Sequence, residues 1–80
     1  MKVRVLVSFK DSILDPQGQT VKNALHTLGY KNISDVRQGK VFEIDFTDIP
    51  DGDIESIILE ISNKVLANPI IEKFTWEILE

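Results

Sequence analysis

Lys2-Val3-Arg4-Val5-Leu6-Val7-Ser8-Phe9-Lys10 sets Val3, Val5, Val7 and Phe9 against Lys2, Arg4, Ser8 and Lys10. That is the period of two of a half-buried β-strand. Downstream, Asp15-Pro16 reads as an N-cap followed by proline at the first helical position, where a missing N–H costs nothing. Val21, Ala24, Leu25 and Leu28 then recur at i, i+3, i+4 and i+7, and Gly29 stands where a left-handed C-terminal residue is wanted. The spacing predicts a first helix over 16–28. Gly18, in its first turn, costs about 1 kcal/mol relative to alanine, so another backbone or a ligand is expected to approach there.

Further along, Val36-Arg37-Gln38-Gly39-Lys40 leads into Val41-Phe42-Glu43-Ile44-Asp45-Phe46. Phe42, Ile44 and Phe46 share one face, and Gly39 is predicted to supply the positive φ of a hairpin turn. After the turn Pro50-Asp51-Gly52-Asp53, Ile54, Ile57, Ile58, Ile61, Val65 and Leu66 mark a second amphipathic helix. Asn68-Pro69 ends it, because the residue before proline leaves the α region. Phe74, Trp76 and Ile78 alternate in the last strand. The reading is one α+β domain over 1–80 in βαββαβ order, with an antiparallel sheet carrying both helices on one face, a ferredoxin-like arrangement.

Composition narrows the function. Eighty residues bury only about 60% of the surface of the unfolded chain, so association is a natural supplement to the core. With no cysteine, and an N-terminus that alternates polar with apolar residues rather than running apolar for about 20, a cytoplasmic, non-membrane protein is expected. Residues 1–40 carry seven Lys and Arg against three acids, and residues 41–80 carry two against ten. Seven acids and no base between Lys40 and Lys64 argue against nucleic-acid binding. Lone His26 has no catalytic or metal-binding neighbours in the sequence, and the serines lack a nucleophile elbow. The acids Asp48, Asp51, Asp53 and Glu55 lack the EF-hand spacing and are read as helix N-terminal charges. No catalytic and no metal-binding residue is assigned.

Two segments, Lys10–Gly18 and Leu66–Glu72, are more elaborate than a helix boundary requires. Leu14-Asp15-Pro16-Gln17-Gly18, followed by Val21, Ala24-Leu25 and Leu28-Gly29-Tyr30, resembles the signature of the PurS family around its first helix. Val36-Arg37-Gln38-Gly39-Lys40 is similar to the family's hairpin, and Leu66-Ala67-Asn68-Pro69-Ile70-Ile71-Glu72 to its third characteristic segment. Ser12, Ser62 and Val65 depart from the usual residues.

The resemblance implies the small, non-catalytic subunit of multi-chain phosphoribosylformylglycinamidine synthase, in purine biosynthesis. It implies a homodimer or a tetramer, bridging a large synthetase subunit (PurL) and a glutaminase subunit (PurQ) and supporting ammonia transfer between them. ATP and Mg would be used by the large subunit, with no cofactor on this chain. Candidate contact residues for partners or substrate are Asp15, Pro16, Gln17, Gly18, Arg37, Gly39, Lys40, Ala67, Asn68 and Pro69. Arg37 and Lys40 stand out as donors with no evident partner in the chain. A small-metabolite regulatory domain of the ACT kind shares the element order and is the main alternative. Acylphosphatase is disfavoured because Asp11 follows Lys10 where an anion cradle would need arginine.

Overall fold

The computed structural model describes residues 1–48 and 51–79, so the expected turn residue Pro50 lies outside the described residues. Strand β1 (Lys2–Phe9) is followed by helix α1 (Pro16–Thr27), strand β2 (Gly39–Asp45), helix α2 (Ile54–Ile61) and strand β3 (Glu72–Ile78). A 3-10 turn (Asp51–Asp53) leads into α2 and a π-helix (Ser62–Leu66) extends it. The three strands form one antiparallel sheet in the order β2-β1-β3.

The alternation in β1 governs the core. Val3, Val5 and Val7 are buried to within 1% exposure and join Ile54, Ile58 and Ala67. Val5 faces Phe42 on one neighbour and Trp76 on the other, and Val3 faces Ile44 and Ile78. The aromatic residues of β2 and β3 therefore pack as core under α2. On the opposite, open face Arg4 donates to Glu43 at 2.8 Å and pairs with Glu77 at 3.5 Å. Its guanidinium holds the Glu43 carboxyl below the usual carboxylate range, chiefly through that hydrogen bond.

Helix α1 ends as its sequence directs. Asp15 caps it through the Gly18 N–H, and Gly29, at φ 107°, closes the far end. There the N–H of Tyr30 returns to the Leu25 carbonyl and that of Gly29 to His26, the paired bonds of a Schellman motif. His26 is half-buried rather than a plain surface residue, with Nε2 2.8 Å from the Ile33 carbonyl, so Nε2 donates.

Three expectations need correction. The segment before Gly39 forms no strand among the described residues, and Gly39 has no positive φ; the Gln38 N–H bonds a side chain, Asp15, instead of a hairpin partner. Among the described residues, only α2 and the π-helix that extends it cover the sheet. Helix α1, expected beside it, adds no residue to the core, and Val21 and Leu28 are 41% and 73% exposed. Finally, the helical stripe fails at Val65, which is 76% exposed while Ser62 and Ala67 turn inward. The cause is the π-helix: the Ala67 N–H reaches back five residues to Ser62, and the wider turn shifts the phase of everything after it.

Candidate functional site

The three segments singled out in the sequence meet at one end of the sheet. They do so because β1 ends where β2 and β3 begin, in the register Ser8 opposite Gly39 and Phe9 opposite Glu72. A groove of about 560 Å³ lies there, lined by Val7, Ser8 and Phe9, by Pro16 and Gln17 of α1, by Gln38, Gly39 and Lys40, and by Glu72.

Asp15 organises one side. It is 3% exposed, and its carboxylate accepts the N–H of Gly18 at 2.9 Å and of Gln38 at 2.6 Å. Those two backbone bonds, Gln38 first, pull its carboxyl below the ordinary carboxylate range against the opposing effect of desolvation, and nearby Arg37 adds to the pull. The glycine at 18 is required by close approach: a Cβ there would run into the Val36 carbonyl. Of the two reasons expected for it, another backbone is the one found. Gly39 is required similarly, since its Cβ would lie 2.5 Å from the Val7 carbonyl.

Arg37 and Lys40 both have partners within the chain, contrary to the expectation from sequence. Arg37 Nη2 donates to the carbonyls of Lys10 at 3.0 Å and Ile13 at 2.8 Å. Lys40 Nζ lies 3.6 Å from Glu72 Oε2. The partners of Arg37 are main-chain carbonyls, which no side-chain pattern announces.

On the other side, Glu72 ties the third segment to the groove. Its side chain is 11% exposed, and Oε1 accepts the Asn68 N–H at 2.6 Å, while the Glu72 N–H returns to the Asn68 carbonyl at 2.7 Å. The Asn68 side chain accepts from Ile70, so Asn68 shapes the turn that follows Pro69. Ala67 is buried in the core and Pro69 is exposed; neither lines the groove. Of the groove residues, Val7, Ser8, Phe9, Gln38 and Glu72 lie outside the candidates read from the sequence. Glu72 had a signal: in the alternation of β3 it falls on the same face as Phe74 and Trp76, an acid in an apolar row.

Among the described residues no group of three or more His, Cys, Asp or Glu comes together as a metal site, and no helix is long and apolar enough to cross a membrane. The groove thus offers an ammonium, a carboxylate, the linked amides of Gln17 and Gln38 and apolar walls. Such a set can hold another molecule's polar groups in place.

The family model for PurS, phosphoribosylformylglycinamidine (FGAM) synthase, matches residues 2–80. The phosphoribosylformylglycinamidine synthase subunit PurS of Bacillus subtilis is 43% identical over 79 residues, covering 99% of this chain and 93% of the relative. The Mycobacterium leprae protein of the same name is 46% identical over 71 residues, covering 89% and 86%. Among solved structures, B. subtilis PurS superposes with a TM-score of 0.90 at 43% identity over 99% of this chain and 98% of that one. A chain of the Thermotoga maritima PurLQS structure shares the fold, with a TM-score of 0.83 at 20% identity over 95% and 93% of the two chains. With a family model spanning nearly every residue, relatives above 40% identity and the same fold, the chain belongs to the PurS family of FGAM synthase subunits.

Proposed function

We propose that this chain is the non-catalytic small subunit of FGAM synthase, acting as a homodimer that holds a synthetase and a glutaminase subunit together. The observation that carries the reading is the state of α1. A twelve-residue helix is marginal in water without a partner, and this one leaves Val21, Leu28 and the adjacent Tyr30 exposed outside the core of its own chain. Such a helix is completed by another chain. The molecule is also long for its size, 50 × 26 × 14 Å, about twice the length of an eight-residue strand on its long axis. That shape suits a bridge.

The name of the T. maritima structure, PurLQS, describes an assembly of that relative with two other subunits, and the same partners, PurL and PurQ, are proposed here. FGAM synthesis from glutamine needs ammonia to pass between active sites without loss to water, and fixing those sites relative to one another serves that end. ATP, Mg and the ribonucleotide belong to the large subunit in this reading. Asp15–Gly18, Arg37–Lys40 and Ala67–Pro69 surround the surface assigned to partners, and the working compartment is the cytoplasm. With the family shown, the ACT-like alternative is set aside.

Tagged chain recovered from its native cell tests the proposal. Co-elution of the synthetase and glutaminase subunits is expected; recovery of the chain alone, at concentrations where the enzyme is active, would overturn it.

A further inference from the structure

The geometry points to Arg37 and Asp15 as positioning residues that set the angle between α1 and the sheet, and thereby the assembly the chain can join. The inference rests on the subunit reading above and adds what determines the shape of that subunit. Because α1 contributes nothing to the core, its direction depends on the two segments that join it to the sheet, residues 10–15 going out and residues 30–38 coming back. Those segments are tied to each other at the root of the helix. Arg37 on the return donates to Lys10 and Ile13 on the way out. Asp15 on the way out accepts from Gln38 on the return while capping α1. Gln38 and Gln17 add a side-chain bond at 2.9 Å.

The tie is anchored as well as closed. The Lys10 N–H bonds the Ile71 carbonyl at 2.9 Å, which fixes the outgoing segment to the approach of β3. Gly18 seats against the Val36 carbonyl with no room for a Cβ, so steric fit and hydrogen bonds specify the same position. Both bonds come from one guanidinium nitrogen, whose two N–H groups are held in the rigid guanidinium plane, whereas a lysine ammonium is a rotating point charge on a flexible stem. An exposed apolar helix held in one direction pays less ordering entropy on association than one that swings.

Three variants test the inference, Arg37→Ala, Arg37→Lys and Gly18→Ala, each followed by backbone hydrogen exchange and by measured association with itself and with the other subunits. In all three, α1 amides are expected to exchange about tenfold faster and the dissociation constant to rise about tenfold, as loss of charge-assisted bonds implies. Amides of β1 should keep their protection. Restoration of association by Arg37→Lys would overturn the inference, because the residue would then be serving as a charge toward a partner. Wild-type exchange in α1 in every variant would overturn it too, as would a loss of β1 protection equal to that of α1. Failure of the wild-type chain itself to associate would instead contradict the proposed function.

Discussion

Truncating two leucine-sized side chains, one in the core and one at the C-cap of α1, should give opposite signatures. Ile58 is fully buried beneath the sheet. Ile58→Ala removes three carbons, about 2.4 kcal/mol of transfer free energy at about 0.8 kcal/mol per carbon, and the cavity left behind brings the loss to about 3 kcal/mol or more. A domain of this length holds roughly 4–12 kcal/mol in all, and melts roughly 4–8 °C lower per kcal/mol lost, so a fall of about 12–24 °C is expected. Leu28 is 73% exposed, so the isolated chain already forgoes most of its burial. Leu28→Ala should cost the monomer about 0.6 kcal/mol, whereas covering that side chain in a complex recovers about 1.8 kcal/mol, or about twentyfold in affinity per buried copy. Thermal melts in dilute solution, paired with sedimentation equilibrium over a concentration series, separate the two effects. If Leu28→Ala lowers the melting temperature of dilute monomer as far as Ile58→Ala does, then α1 packs on its own sheet and the reasoning fails.

Gly39→Ala puts a Cβ 2.5 Å from the Val7 carbonyl of the central strand and should cost roughly 1–3 kcal/mol, read as a lower urea midpoint; an unchanged midpoint would show that the β1–β2 ladder yields freely. Ser62 Oγ is buried without a hydrogen-bond partner among the described residues, so Ser62→Ala should raise stability by about 1 kcal/mol; a lower melting temperature would mean the hydroxyl is satisfied after all. The Asp15 carboxyl titrates lower in the folded chain than in the unfolded one, where about 3.9 is usual. Its contribution is therefore present above about pH 3.9 and lost as pH falls through the folded value. The stability gap between wild type and Asp15→Asn should accordingly be constant near neutrality and close on acidification, as urea titrations at several pH values will show; a gap that persists at acid pH contradicts that assignment.

Much of the fold was legible because local chemistry and tertiary burial agree. The β1 alternation became the core row Val3, Val5 and Val7, and Asp15-Pro16 and Gly29 became the caps of α1. What sequence misjudged depended on partners that leave no periodic trace. A stripe such as Val21, Leu25 and Leu28 states that something covers the helix, not that its own sheet does. Gly39 was read as a turn residue because glycine serves two needs, positive φ and close approach, which composition does not distinguish. The π-helix was invisible because one extra residue in a helical turn has no spacing of its own until Val65 turns outward. At the candidate site, the three segments were identified along the chain, but their convergence on Glu72 required the strand register.

The central claim, that this chain completes FGAM synthase by coupling subunits that do the chemistry, is tested most directly by comparing nitrogen sources. Synthetase and glutaminase subunits should form the amidine from glutamine only when this chain is added, and should need it much less when ammonium is supplied directly. Equal glutamine-dependent rates with and without the chain would contradict the account.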